Sequence, residues 1–247
     1  MAETLDEISG LGLVLRQNRA GHRVGLDAVL LAAAAGTLPA RRIVDVGAGV
    51  GAVGLALARR FPHAEVELVE IDAETAGLAR DNAERNGIAA RVVVADVLKA
   101  AERRAAGLVD GAADLVVTNP PFLTALTARV SPDPARRRAH ALEGEDGLGL
   151  WIKASLALLA PGGRFAMIHR ADALPAIFSA IARRLGDVAA RPVYPRAGED
   201  AIRVLVTGCK GSRAPARLAP PLTLHEADGG ATAEAREVHA GRARLWP

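Results

Sequence analysis

Asn119-Pro120-Pro121-Phe122 sets a side-chain amide, two prolines and an aromatic ring directly after the apolar run Asp114 to Thr118. Each proline fixes φ and lacks a backbone N–H, so the turn presents carbonyl oxygens free to accept from an incoming NH2. With Asn119 Oδ1 they could hold both protons of one amino group, and the Phe122 ring could stack on a flat substrate. The preceding run reads as a buried parallel strand. That places the motif at a strand's C-terminal end, where open α/β sheets bind their ligands. Without other residues to support it, the same tetrapeptide is an ordinary Pro-rich strand exit.

Support comes from upstream. Val44-Asp45-Val46-Gly47-Ala48-Gly49-Val50-Gly51 closes an earlier apolar run, and its glycines let the backbone turn tightly against a ligand at a helix N-terminus. The segment from Gly49 to Gly54 also matches the G-x-G-x-x-G pattern of dinucleotide sites. Two details oppose that reading. The fingerprint needs its first glycine directly after the strand, a place Gly47 already holds, and Asp45 would repel a pyrophosphate while suiting an ammonium group. Acidic residues then recur at successive strand ends, so Asp45, Glu70, Asp96 and Asn119 are expected along one rim of the sheet. A carboxylate at Glu70 can accept two hydrogen bonds from a ribose diol, and one at Asp96 can accept from an adenine amino group. Any one of them alone is a helix N-cap or a loop residue; the strand-to-strand recurrence is the signal.

The elements that must hold these groups follow a βαβ alternation. Strands are expected at Arg42 to Val46, Glu65 to Val69, Arg91 to Val94, Asp114 to Thr118 and Arg164 to Ile168, with helices at Gly51 to Phe61, Ala73 to Asn86, Val97 to Ala106, Gly149 to Leu159 and Leu174 to Leu185. Ala190 to Tyr194 and Ala201 to Thr207 are joined by too few residues for a helical crossover, so they should pair antiparallel at a sheet edge. The fold class is α/β, five parallel strands plus a C-terminal hairpin with helices on both faces. Leu11 to Gln17 reads as a strand, Asp27 as the N-cap of a helix from Ala28 to Gly36, and Arg213 to Pro247 as an extended surface tail. One domain over residues 1–247 is expected: an N-terminal extension (1–40), a core (41–210) and the tail (211–247).

Composition narrows the classes. The 247 residues are half apolar and carry a formal charge of +3, which permits a polyanionic partner without requiring one. Cys209 is the single cysteine, so neither a disulfide framework nor a cysteine zinc site is expected, and a reducing, cytoplasmic compartment fits. The opening residues lack the positive region of a signal peptide, and Val29 to Ala35 is too short an apolar run to span a bilayer. The six histidines are scattered, without the spacing of a metal site. Arg136-Arg137-Arg138 with His140 is the densest basic cluster; on charge alone it is a solvated face.

The turn from Val44 to Gly51, Val69-Glu70-Ile71-Asp72, Ala95-Asp96-Val97, Asn119-Pro120-Pro121-Phe122, Leu159-Ala160-Pro161-Gly162-Gly163 and the closing hairpin together resemble the class I S-adenosylmethionine-dependent methyltransferases, from about Arg42 to Gly208. That resemblance implies a Rossmann-like seven-stranded sheet and S-adenosyl-L-methionine as cofactor. It also implies that Gly47, Gly49 and Gly51 border the methionine moiety, that Glu70, with Ile71 beside it, takes the ribose, and that Asp96 takes the adenine. Members with this tetrapeptide methylate a planar, conjugated NH2, either N6 of adenine or a glutamine amide. Such a nitrogen is a poor nucleophile because its lone pair is delocalised. Accepting both its protons, at Asn119 Oδ1 and the Pro120 carbonyl, draws that pair toward the methyl group. No metal is needed.

The glutamine methyltransferases of release factors resemble a two-domain plan with a helical domain ahead of the glycine turn, whereas here about forty residues precede it. Those residues, from Gln17 through Asp27 to Leu31, together with Val193-Tyr194-Pro195-Arg196 and Ala201 to Val206, are similar to the bacterial methyltransferases that modify adenine N6 beside the anticodon of a valine tRNA. In that group the residue matching Asp27 closes over the cofactor. The implied partner is RNA, specifically tRNA, and Arg136, Arg137, Arg138 and His140 then become candidate phosphate anchors at the mouth of the site. Phe122 stands where tyrosine is the commoner family choice, which removes a hydroxyl and keeps the stacking plane. A glutamine or DNA adenine methyltransferase, and a non-catalytic RNA- or cofactor-binding module, are the alternatives.

Overall fold

The computed structural model describes residues 3–19, 23–38, 40–121, 147–243 and 245. Its centre is a sheet built from β3 (Arg42–Val46), β4 (Glu65–Glu70), β5 (Arg91–Val94), β6 (Ala113–Thr118), β7 (Leu159–Arg170), β8 (Leu185–Arg196) and β9 (Arg203–Lys210), ordered β8-β9-β7-β6-β3-β4-β5. The pairs from β7 to β5 are parallel and β9 runs antiparallel to both β7 and β8. Every parallel strand therefore ends on the same edge, with Val46 level with Thr118, and Thr118 level with Met167.

The strands β3 and β6 are buried on both faces, and the pleat sorts their side chains. Ile43, Leu115 and Val117 pack with α1 (Leu26–Ala35), α2 (Ala52–Arg60) and α3 (Ala73–Arg85). Val44, Val46, Val116, Phe165 and Met167 pack on the other side with α5 (Gly147–Leu158) and α6 (Leu174–Ile181). A short helix α4 (Ala100–Ala105) follows β5, and Arg103 is buried there against Asp110 and the Val97 carbonyl. Full burial of side chains such as Leu55, Leu115 and Phe165 contributes about 1.5–3 kcal/mol each.

Several expectations need correcting. Among the described residues the sheet has nine strands, because β10 (Arg217–Leu218) and β11 (Leu222–His225) add parallel to β8 beyond the seven of the core. The tail is thus not simply extended; it also forms α7 (Ala233–His239), capped by Thr232, and buries Leu222, Leu224, Val238 and Leu245. At the other end, β1 (Glu3–Ile8) pairs antiparallel with β2 (Leu13–Asn18). β1 was hidden in the sequence because its polar residues leave no apolar run. Asp27 is not an N-cap: Gly25 occupies that place, and Asp27 lies in the first turn of α1. The helix expected from Val97 shrinks to α4, and the one expected to reach Leu185 ends at Ile181.

Candidate active site

The loop after β3 reverses on glycines with left-handed backbone: Gly47 (φ 72°), Gly49 (φ 56°) and Gly51 (φ 89°). Its start is held by Gly47 and Ala48, whose N–H groups both donate to the Val69 carbonyl (2.9 and 3.0 Å). Open space surrounds the place a Gly49 side chain would occupy, so the backbone there can be approached closely. At Gly47 the opposite holds: a Cβ would lie 2.8 Å from Cζ2 of Trp151.

Glu70 ends β4 beside this turn. Its Oε2 accepts from Gly49 N–H (3.0 Å) and its Oε1 from the N–H groups of Ile71 (2.8 Å) and Asp72 (3.0 Å). The carboxylate is oriented by backbone and retains acceptor capacity for a ligand hydroxyl. Ile71 and Val94 are exposed at 41% and 42% on this edge, apolar surface suited to a flat ring. Asp96, just past β5, accepts from Leu98 N–H (3.0 Å), and Lys99 Nζ lies 3.5 Å away.

Asp45 is not on the rim. The pleat turns it to the α2 face beneath the loop, where it is 2% exposed and Oδ2 accepts from Gly54 N–H (2.8 Å). Burial pushes its carboxyl up to about 7; the Gly54 N–H opposes that rise and the Glu70 charge adds to it.

Asn119 leaves β6 on the same edge, with Pro120 buried and Pro121 exposed. Its Oδ1 is buried and has no hydrogen-bond partner among the described residues. An acceptor in that state costs about 1–3 kcal/mol, an arrangement suited to a ligand donor. Phe122, Arg136, Arg137, Arg138 and His140 lie outside the described residues.

Sequence reading missed four features. Asn82 on α3 and Asn86 at its C-terminal cap, one turn apart, act as a substitute strand: their amides pair with N–H and C=O of Arg16 and Val14 in β2, and Asn82 also donates to the Val50 carbonyl (3.0 Å). The i, i+4 asparagine pair was the available clue. Trp151 Nε1 donates to Thr118 Oγ1 (2.9 Å). Asp27 pairs with Arg203 Nε (3.0 Å to each carboxylate oxygen). His169, buried on β7, is one strand from the tetrapeptide, and desolvation holds its pKa down to about 4. No metal-ligand cluster occurs among the described residues, and no helix there is long and apolar enough to cross a membrane.

The open glycine turn, the oriented Glu70 carboxylate, the exposed apolar pair and the unsatisfied Asn119 Oδ1 fit S-adenosyl-L-methionine beside an amino acceptor. Residues 23–133 match the family described as the methyltransferase small domain. The chain is similar to the tRNA1(Val) (adenine(37)-N6)-methyltransferase of Porphyromonas gingivalis (strain ATCC 33277), 37% identical over 188 residues that cover 71% of this chain and 72% of the relative. The enzyme of that name from Aeromonas hydrophila subsp. hydrophila is 34% identical over 214 residues, 86% of each chain. A crystal structure from Agrobacterium tumefaciens, described as a predicted O-methyltransferase, superposes with a TM-score of 0.71 at 35% identity, covering 88% of this chain and 97% of that one. The chain is an S-adenosyl-L-methionine-dependent methyltransferase and belongs to the family of the tRNA1(Val) (adenine(37)-N6)-methyltransferases.

Proposed function

We propose that this methyltransferase modifies N6 of an adenine in tRNA, with Asn119 as the residue that selects an amino group. The observation that carries the reading is the buried Asn119 Oδ1 on the rim beside the glycine turn, which has no hydrogen-bond partner among the described residues; the names of the relatives give the acceptor class. When bound, the cofactor supplies an electrophilic methyl group on a sulfonium. Glu70 binds the ribose hydroxyls, Asp96 the adenine amino group, and Ile71 covers the adenine ring. Gly47, Gly49 and Gly51 admit the methionine moiety, and Asp45 beneath them ties the turn to α2 through the Gly54 N–H. Asn119 Oδ1 and the Pro120 carbonyl accept hydrogen bonds from the two N–H groups of the target NH2, of which one proton is released to solvent and the other stays on the methylated nitrogen, and Phe122 stacks on its base. A hydroxyl acceptor brings one proton and would leave one of these two acceptors empty, which favours nitrogen over oxygen.

Residues 1–40 serve as one wall of the cofactor chamber, a reading supported by Asn82, which joins β2 to the glycine turn through Arg16 and Val50. Asp27 closes that wall from α1. The whole chain acts as one domain. Arg136, Arg137, Arg138 and His140 grip RNA phosphates.

Methyl transfer from labelled cofactor into a cell lysate, followed by separate ribonuclease and protease digestion, tests the acceptor class. Label lost to ribonuclease supports the reading; label that survives ribonuclease and is released by protease replaces it with glutamine methylation.

A further inference from the structure

One side chain touches both halves of the site, and neither the cofactor's contacts nor the NH2 trap includes it. Trp151 lies in the first turns of α5, partly buried, with its indole N–H directed at Thr118 Oγ1 (2.9 Å). Thr118 is fully buried, and its hydroxyl donates onward to the carbonyl of Val46 (2.8 Å). The hydroxyl therefore accepts once and donates once, which orients its proton. Val46 is the residue before Gly47, and Thr118 is the residue before Asn119. The indole's benzo edge meanwhile stands where a Gly47 side chain would be, 2.8 Å from Cζ2 and 3.1 Å from Cη2.

The β3–β6 ladder already sets Val46 level with Thr118, but it ends where the chemistry begins. Beyond it, the turn at Gly47 and the turn at Asn119 leave the sheet by separate paths. Trp151 spans that gap: its N–H is tied to one side and its ring rests against the other. Shifting either turn breaks a buried hydrogen bond or drives backbone into the ring. Glycine at 47 admits the ring as well as the left-handed φ.

We propose that Trp151, acting through Thr118, is a positioning residue that fixes the separation between the cofactor's turn and the Asn119 acceptor, and so sets turnover without setting cofactor affinity. The inference rests on Asn119 being the amino-group acceptor. Displacement of reacting groups by about 1 Å can reduce rate about a hundredfold while binding survives.

The test uses the full chain, labelled S-adenosyl-L-methionine and whichever acceptor fraction the lysate assay identifies. Trp151→Phe keeps an aromatic ring and removes the N–H; Thr118→Val keeps the shape and removes the hydroxyl; Thr118→Ser restores the hydroxyl. Trp151→Phe and Thr118→Val should each lower kcat about tenfold or more, with the KM for cofactor within about threefold of wild type. The double variant should be no slower than the slower single, because both cut one chain of hydrogen bonds. Thr118→Ser should keep most of the wild-type kcat. In a Trp246→Phe background, Trp151 emission should change on adding S-adenosylhomocysteine. Unchanged kcat in Trp151→Phe and Thr118→Val, multiplicative losses in the double variant, or equal damage from Thr118→Ser and Thr118→Val would each overturn the proposal. If Trp151→Phe fails to fold, the Thr118→Val and Thr118→Ser pair decides by the same criterion. Asn119→Ala is run in parallel: if it retains turnover, the underlying acceptor reading has failed, whereas loss there with normal Trp151 and Thr118 variants rejects the positioning role alone.

Discussion

The two halves of the sheet edge treat their polar groups differently. On the β3–β5 half, polar groups already have partners without any ligand: Glu70 accepts three backbone N–H bonds, Asp45 holds Gly54, and Asp96 holds Leu98. On the β6–β9 half, Asn119 Oδ1 has no partner among the described residues, while the nearby arginines are matched by carboxylates. Arg170 pairs with Asp172, Arg196 with Glu199 and Arg203 with Asp27. The contrast separates a receptacle whose polar groups are already held in place from the proposed trap, where Asn119 Oδ1 is left open among the described residues. Arg170, Arg196 and Arg203 thus each have a carboxylate partner, and Arg136, Arg137 and Arg138 are the cations proposed for RNA phosphates.

The largest effect expected is at the trap. Asn119→Ala should lower kcat about 10²–10³-fold, the range for loss of one preorganised polar contact to the reacting group, with cofactor affinity by titration calorimetry within about threefold. A comparable loss of cofactor affinity would erase the distinction between the halves. On the receptacle side, Glu70→Ala should do the reverse. It should weaken cofactor binding about tenfold or more, since a hydrogen bond to a charged group is worth about 1.5–3 kcal/mol. It should also lower the melting temperature, because Gly49, Ile71 and Asp72 lose their common acceptor.

The arginines give a third, smaller contrast. Triple alanine substitution at Arg136, Arg137 and Arg138 should reduce the slope of log K against log salt for RNA by about 2–3, whereas Arg170→Ala should leave that slope nearly unchanged. For the Asp27–Arg203 pair, a double-mutant cycle in urea unfolding should return about 1 kcal/mol or less, as for partly exposed ion pairs.

The pH dependence of the receptacle has a definite sign. The folded Asp45 carboxyl, at about 7 against an ordinary 3.8, holds a proton that the unfolded chain releases. Its stabilisation is complete below the unfolded value and is lost as pH rises through the folded one. Asp45→Asn keeps an acceptor for Gly54 and removes the titration. Its stability by urea unfolding should therefore fall less than that of wild type between about pH 4.5 and 7.5.

Legibility in the sequence followed burial. β3, β6 and the parallel order were readable because Ile43-Val44 and Leu115-Val116-Val117 are apolar on both faces, and the left-handed turn was readable from its glycines. β1 was not, because one of its faces is solvent and its charges break the pattern. The pleat moved Asp45 off the rim, which a strand-end rule cannot register. The partners of Asn82, Trp151 and Arg203 were not readable for a shared reason: each acts on a residue far away in sequence, through contacts that exist only once the elements pack.

The most direct measurement is the identity of the methylated atom. Product from single-turnover transfer, using labelled S-adenosyl-L-methionine and bacterial RNA, can be digested to nucleosides and resolved by mass spectrometry. Wild-type enzyme is expected to place the label on N6-methyladenosine, and Asn119→Ala to place none there while still binding cofactor. Label on a ribose or other hydroxyl oxygen, or N6-methyladenosine formed at the wild-type rate by Asn119→Ala, would contradict the assignment of Asn119 as the acceptor that selects an amino group.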